Sequence, residues 1–348
     1  MVRAARASRA TGPTLAVVAR EAGVSVPTAS KVVNGRDDVA PATRRRVTEV
    51  LDRLGYVRRP RFDLARAPRL VDLVVHSLEN SRSGAVLHGV EAAAYDAGLE
   101  VVVSACSDRP RDVRPPRDWL ERIVVRGSSG VLFDVAELTG AQHAWLDRHR
   151  IPFVMVDPLM APPPGVVSVG AANWQGGVTA TEHLLHLGHE RIAVVGGRRN
   201  EPGGGARIAG YRSALASAGL HHRAEYVRHA GFDRAAARRR TRELLDLPVP
   251  PTAVFACSDT MALGVYEALA ERGLSVPDDV SVVGFDDLPE AHWVTPALTT
   301  VRRPLSEMAA TALRVLLRMM DGDHPESTRT ELSTHLVERA STAPPRNG

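Results

Sequence analysis

The sequence predicts an all-α helix-turn-helix segment followed by an α/β core of two lobes, each a doubly wound parallel sheet. Three observations predict it. Apolar residues recur at helical spacing in three short stretches between residues 14 and 56. From Leu70 onward, short apolar runs alternate with amphipathic stretches, the rhythm of βαβ units. Charge divides in the same way: fourteen Lys/Arg against six Asp/Glu up to residue 68 give +8, and the other 280 residues carry −4, for a net +4. A basic head on a mildly acidic body points to a polyanionic partner for the head alone, with a merely solvated basic tail as the competing reading.

The bulk composition of the 348 residues, 44% hydrophobic and 24% charged, is that of a globular chain with apolar surface for more than one core. No apolar run approaches the roughly 18 residues that span a bilayer. Residues 1–13 carry arginines without the apolar stretch of a secretory signal and read as a disordered basic tail. Cys106 and Cys257 stand far apart without CxxC or metal spacing and read as two buried thiols.

The first helix is expected over Leu15–Ala22, with Leu15, Val18, Ala19 and Ala22 on one face. Gly23 stops it, and Val24 plugs the corner. Ser25 is a good N-cap for a second helix, with Pro27 in its first turn, where a missing N–H costs little. Ala29, Val32 and Val33 form its inward face, and Gly35 ends it. Val26, Pro27, Ser30, Lys31 and Asn34 are left facing outward, a face suited to the major groove. Lys31 can donate to guanine O6 or N7, and Val26 and Pro27 can meet a thymine methyl. Ser25, Thr28 and Ser30 suit phosphate contacts. Lys31 is the sole lysine of the chain, either by selection or as chance in an arginine-biased sequence. A third helix, Pro41–Leu54, buries Val47, Val50, Leu51 and Leu54, with the Arg44–Arg46 run solvated.

Residues 57–69 are rich in Arg and Pro and read as a linker. Strands are then expected over Leu70–Val75, Leu99–Ser104, Gly130–Asp134, Pro152–Val156, Arg191–Val195, Thr252–Ala256 and Val280–Gly284, with helices over Gly84–Ala97, Trp174–Leu187 and Ser258–Arg272. Seven or more strands over some 270 residues fit two lobes better than one large sheet.

Ordered motifs then make the chain recognisable. Val18-Ala-Arg-Glu-Ala-Gly-Val-Ser25, Thr28-Ala-Ser-Lys-Val-Val-Asn-Gly35, Thr43-Arg and Leu54-Gly-Tyr56 together resemble the headpiece of the lactose-repressor (LacI) family. The resemblance continues through Asn173-Trp-Gln-Gly-Gly177, His183-Leu-Leu-His-Leu-Gly-His-Glu-Arg-Ile-Ala193, Arg207-Ile-Ala-Gly-Tyr211, Asp259-Thr-Met-Ala-Leu-Gly264, Ser281-Val-Val-Gly-Phe-Asp-Asp287, Leu298-Thr-Thr-Val301 and Leu336-Val-Glu-Arg-Ala-Ser-Thr342. It covers about residues 14–343.

The resemblance implies a homodimer, or a pair of dimers, on near-palindromic double-stranded operator DNA. It also implies a periplasmic-binding-protein-like core with a small-molecule effector, a sugar by family analogy, between its lobes. Residues 26, 27 and 31 are then the variable base readers, the positions that the helical face gives by itself. The expected layout is a tail (1–13), a headpiece (14–56), a hinge (57–69) and a core (70–343). Within the core, one lobe is 70–171 plus 303–330 and the other 172–302 plus 331–343. Localisation at the nucleoid in the cytoplasm follows, with no membrane partner.

Three departures from the family pattern stand out. Lys31 replaces the usual arginine, offering a point charge where a bidentate fork is usual. Ala40 replaces a serine N-cap, weakening the start of the third helix by about 1 kcal/mol. In the hinge, the family's minor-groove leucine aligns with Ala65, so Leu64 serves only with a shift of one residue, between Pro60 and Pro68. Arg58, Arg59, Arg61 and Arg66 are the alternative contacts, to phosphates or a narrow minor groove.

For the effector, ligands of doubly wound sheets sit beyond the carboxyl ends of the strands. The resemblance turns Arg207 and Asp286 toward it, a guanidinium and a carboxylate suited to the hydroxyls of a polyol. Ser258 and the Ser77–Ser83 loop with Asn80 come next. Trp174 and Trp293 either stack on an apolar sugar face or pack within the lobes. No cofactor, metal or catalytic set is expected. The Gly196–Gly205 stretch lacks GxGxxG spacing and a Lys-Ser/Thr pair, and Gly127-Ser-Ser-Gly130 is not GxSxG. The thirteen histidines form no HExxH, and His183, His186 and His189 read as surface residues. The competing functions are a sugar-binding transport protein, which leaves residues 14–56 unexplained, and a sugar-phosphate enzyme, which no catalytic constellation supports.

Overall fold

The computed structural model describes residues 13–36, 38–56, 69–106, 115 and 117–346. The tail 1–12 and the hinge segment 57–68 lie outside them, and with it Leu64, Ala65, Pro60, Pro68, Arg58, Arg59, Arg61 and Arg66. The chain divides into two compact units, Met1–Ala67 and Pro68–Gly348.

The first unit contains α1 (Leu15–Glu21), α2 (Val26–Val33) and α3 (Pro41–Leu54). Val18, Ala19, Ala22, Ala29, Val32, Val39, Val47 and Val50 form its core, with Val24, Leu51, Leu54 and Tyr56 packed partly against it. The helix ends follow the chemistry of the sequence. Ser25 Oγ accepts the Thr28 N–H at 3.3 Å, and Gly55 caps α3 in the left-handed region at φ 60°. Ala40 offers no side-chain cap to α3. Arg46 is not merely solvated, because its Nε–H bonds Ala22 O at 2.9 Å and ties α3 to the end of α1.

The second unit has two six-stranded sheets. The first lobe holds β1 (Arg69–Val75), α4 (Ser81–Asp96), β2 (Leu99–Ala105), α5 (Arg117–Arg126), β3 (Gly130–Asp134), α6 (Gly140–Arg148), β4 (Phe153–Val156) and β5 (Ser168–Ala171). The second holds α7 (Asn173–His186), β6 (Ile192–Gly196), α8 (Pro202–Ser217), β7 (Val227–His229), α9 (Arg234–Leu245), β8 (Ala253–Ala256), α10 (Asp259–Glu271), β9 (Ser281–Asp286), α11 (Glu290–Trp293) and β10 (Thr299–Arg302). The chain then returns to the first lobe for α12 (Leu305–Met320) and β11 (Arg329–Leu332), and ends in the second with β12 (His335–Val337). The last crossing therefore falls after Leu332, not after residue 330, because Arg329–Leu332 pairs in parallel with Ser168–Ala171.

The strand orders are β2-β1-β3-β4-β5-β11 and β7-β6-β8-β9-β10-β12. All pairings are parallel except β10 with β12, an antiparallel edge that the alternating βαβ pattern does not announce. The order reverses between β1 and β3 in one lobe and between β6 and β8 in the other. These are the switch points where adjacent loops diverge and leave a crevice. The central strands are buried on both faces and carry Val, Ile, Leu and Phe in near-continuous runs. Five short strands escape the sequence reading: β5, β7, β10, β11 and β12, each of three or four residues.

The expectation of surface histidines fails at His189. Gly188, at φ 93°, turns His189 inward, where its ring meets Thr252 Oγ1 at 2.9 Å, Ser281 Oγ at 3.1 Å and the Ala343 carbonyl at 2.9 Å. His183, half-buried, bonds Thr342 Oγ1 at 2.9 Å. Both histidines anchor the C-terminal segment, and burial lowers both imidazole pKa values. Cys106 and Cys257 are both buried, and burial pushes the Cys257 thiol up to about 12.

Candidate functional sites

The outward face of α2 carries Ser25, Val26, Pro27, Lys31 and Asn34 exposed, with Thr28 and Ser30 half-buried. Val26 is 45% exposed, a high value for an apolar side chain in so small a unit. Ser25 Oγ is committed to Thr28 through both the cap and a 2.8 Å hydroxyl contact. Asn34 donates to Ser30 Oγ at 3.2 Å. Lys31 Nζ pairs with Asp38 Oδ2 at 2.6 Å.

In the core, both switch points open onto one cavity of about 340 Å³ between the lobes. Of the expected effector residues, Asn80, Arg207, Ser258 and Asp286 line it. Trp174 and Trp293 do not; they are exposed by 47% and 76% on α7 and α11. The stacking and packing readings of these two tryptophans are both set aside, because neither helix turns its indole to the cavity or to a core.

Each lining group is held by local chemistry. Asn80 caps α4, its Oδ1 accepting the Ser83 N–H at 2.8 Å, and Ser258 caps α10 by accepting the Met261 N–H at 3.2 Å. Arg207 is 2% exposed on α8. Its Nε–H donates to Asn173 Oδ1 at 2.8 Å, an Nη1–H to the Cys257 carbonyl, and its guanidinium lies 4.0 Å over the Phe285 ring. α8 comes this close because α7 and α8 cross on glycines. A Cβ on Gly177 would fall 2.2 Å from the Arg207 carbonyl oxygen, and one on Gly210 2.1 Å from that of Trp174.

Asp286 and Asp287 end β9 with φ of 116° and 57°, a conformation costly for any residue with a Cβ. The turn is fixed from below by Asp259, fully buried, which accepts the Leu288 N–H at 2.7 Å and the Thr300 hydroxyl at 2.6 Å. Burial, with Asp286 nearby, pushes the Asp259 carboxyl well above the usual carboxylate range. Leu288, the next residue in the turn, packs among the apolar side chains of the first lobe.

The sequence reading missed the charged network on the floor of the cavity. Arg82 on α4 pairs with Asp134 at 2.7 Å and with Asp157 at 3.1 Å. Arg303 lies at the second crossing between lobes, 4% exposed, and pairs with Asp157 of the first lobe at 2.6 Å and Asp286 of the second at 2.7 Å. Burial alone would raise the Asp157 carboxyl, but Arg303, then Arg82 and Arg207, outweigh it and hold it well below the usual range. A signal for Asp134 and Asp157 did exist, since both stand at the carboxyl ends of parallel strands. Nothing local marks Arg303, whose role depends on where the chain crosses. Around this floor, His76, Arg198, Glu201, Phe232 and Asp233 complete the walls.

Among the described residues, no group of His, Cys, Asp and Glu is placed to hold a metal ion, and no helix is long and apolar enough to cross a membrane.

A helix-turn-helix unit with an outward reading helix, joined to a two-lobed α/β core around a polar cleft, defines a DNA-binding transcription regulator. The chain belongs to the lacI family of bacterial regulatory proteins: residues 14–59 match that family's model, and residues 181–342 match the periplasmic binding protein-like domain. It is 35% identical over 346 residues to the HTH-type transcriptional regulator CelR of Thermobifida fusca, covering 94% of this chain and 98% of that one. The structure of a CelR–cellobiose complex superposes with a TM-score of 0.69 at 33% identity, over 94% of this chain and 99% of the other. The lac repressor dimer bound to operator and the anti-inducer ONPF gives a TM-score of 0.73 at 26% identity, over 96% and 100%.

Proposed function

We propose that this regulator represses carbohydrate-related genes as a homodimer on a near-palindromic operator, and that a neutral sugar in the inter-lobe cavity sets its operator affinity. The observation that carries the ligand class is the charge balance of the cavity. Four arginines, Arg82, Arg198, Arg207 and Arg303, face four carboxylates, Asp157, Glu201, Asp233 and Asp286. Most of these are already paired with one another or engaged in caps. Such a wall offers many oriented donors and acceptors with little net charge, which suits hydroxyls better than a phosphate or carboxylate. A volume of about 340 Å³ is at the small end of ligand sites and fits one or two sugar rings. The CelR–cellobiose complex lends support by likeness.

In this reading residues 14–56 read DNA, 57–69 link, and the two lobes of 70–343 sense. Ser25, Thr28, Ser30 and Asn34 position α2, and Val26, Pro27 and Lys31 meet base edges. Arg207 and Asp286 contact the effector beside Asn80 and Ser258. Arg303 gives the cavity its coupling: it bonds a carboxylate from each lobe, so a ligand that engages Asp286 bears directly on how the lobes meet. Differential affinity for two lobe arrangements is all that allosteric control requires. The chain acts as a regulator and not an enzyme, and works at the nucleoid in the cytoplasm.

A melting-temperature screen of the full chain against mono- and disaccharides tests the ligand class. One neutral sugar at 100 times its Kd should stabilise the core by about 2.7 kcal/mol. Asp286→Asn, which keeps an acceptor for Arg303, should remove most of that shift and the sugar's effect on operator binding, while binding without sugar is retained. A shift only with phosphorylated or anionic ligands would overturn the neutral-sugar reading.

A further inference from the structure

An ion pair on the outward face of α2 brings in a carboxylate from outside that helix. Lys31 lies in the last turn of α2, and Asp38 in the connection to α3. Nζ and Oδ2 are 2.6 Å apart, with the side chains 47% and 54% exposed. A carboxylate on this face works against the phosphates, since it adds negative charge where a polyanion must dock. Its presence costs non-specific affinity unless it finds a donor. In the major groove the donors on base edges are the amino groups of cytosine (N4) and adenine (N6).

Alone, Lys31 offers donors and no acceptor. It is satisfied by guanine, by thymine O4, by adenine N7 or by any phosphate. Beside Asp38 it becomes a donor and an acceptor held side by side. A G·C pair presents two acceptors, N7 and O6, and then the N4 amino donor across the pair. That order serves the ammonium twice and the carboxylate once. An A·T pair presents acceptor, donor, acceptor, so with the carboxylate on adenine N6 the ammonium is served once, at N7, one hydrogen bond fewer than on G·C.

We infer that Lys31 and Asp38 read one G·C base pair jointly, Lys31 donating to guanine N7/O6 and Asp38 accepting from cytosine N4. Asp38 is then a specificity-determining residue, and its loss loosens selection without weakening DNA binding in general. The Lys31 ammonium also holds the Asp38 carboxyl below its ordinary range, so the acceptor stays charged across neutral pH. The inference rests on α2 being the reading helix, as proposed above.

The test uses the full chain on duplexes selected from a random pool, with affinities by fluorescence anisotropy. Wild type should prefer G·C at one position of each half-site by about tenfold or more. Asp38→Ala should lose about tenfold of that preference while binding random duplex at least as tightly. Replacing that cytosine by 2-pyrimidinone, which lacks the N4 amino group, should weaken wild type and leave Asp38→Ala unmoved. Lys31→Ala should lose the preference at the same position. If Asp38→Ala tightens binding equally on all sequences and keeps the G·C preference, Asp38 only repels phosphate and the inference is wrong. If Lys31→Ala also keeps every base preference, the reading-helix assignment itself fails and takes this inference with it.

Discussion

Replacing Arg303 by methionine removes a buried guanidinium that bonds Asp157 at 2.6 Å and Asp286 at 2.7 Å. Methionine fills much of the aliphatic stem, so the loss is chiefly electrostatic. Breaking a buried pair by deleting one partner costs about 3–5 kcal/mol, because the remaining charge stays buried without compensation. Asp157 keeps Arg82 at 3.1 Å, which favours the lower part of that range, about 3 kcal/mol. For a unit of this size that is a fall in melting temperature of about 5 °C. The four tryptophans, Trp119, Trp145, Trp174 and Trp293, all belong to the second unit, so fluorescence melts of the full chain report on the core alone. The pH dependence gives a second readout. The Asp157 carboxyl of the wild type sits below its unfolded value, so its stabilisation is complete above a pH of about 4 and is lost only as pH falls through the depressed folded value. Without Arg303, burial pushes the folded value up, and protonation on acidification relieves the variant. The gap between wild type and Arg303→Met should therefore be widest at pH 7 and narrow toward pH 4. A fall below about 2 °C, or a gap constant with pH, would refute the assignment of Arg303 as the compensated bridge between lobes.

Two further outcomes follow from helix geometry. Gly177→Ala places a methyl 2.2 Å from the Arg207 carbonyl oxygen, so α8 must move; a loss of about 1–3 kcal/mol and a smaller ligand-induced melting shift are expected. Ser25→Ala removes the cap that accepts the Thr28 N–H and should speed amide exchange in residues 26–33 by the equivalent of about 1 kcal/mol, whereas Ser25→Gly should do so by only a few tenths.

The helix-turn-helix and the paired sheets were legible in the sequence because both rest on local periodicity. Apolar spacing put Ala29, Val32 and Val33 inside and Val26, Pro27 and Lys31 outside; Ala29 and Val32 are buried and the outward three exposed, but Val33 is only half-buried and stays out of the core. Pro41–Leu54 and Gly130–Asp134 were read with their observed ends, since proline and glycine punctuate them. Family motifs, which are also local strings, marked Arg207 and Asp286. The sheet-edge strands were not legible, because Arg329–Leu332 has three exposed residues and no apolar pattern and becomes a strand only through its partner at Ser168–Ala171. Trp174 and Trp293 could be read equally as ligand platforms or as lobe packing, because an indole's chemistry is visible in sequence and its direction is not.

By itself, then, the sequence determined the central strands, the helices of the first unit and the outward face of α2, all consequences of spacing along the chain and of which residues tolerate which backbone angles. Only the tertiary structure decided which charges meet. Arg82, Asp157 and Arg303 are separated by 75 and 146 residues and act as one network because three chain crossings bring both sheets' carboxyl ends to one cleft. The Lys31–Asp38 pair has the same origin on a smaller scale, since the turn after α2 folds a carboxylate back over a lysine seven residues earlier. Coulomb interaction depends on distance in space and on burial, and neither is written in the spacing of a sequence.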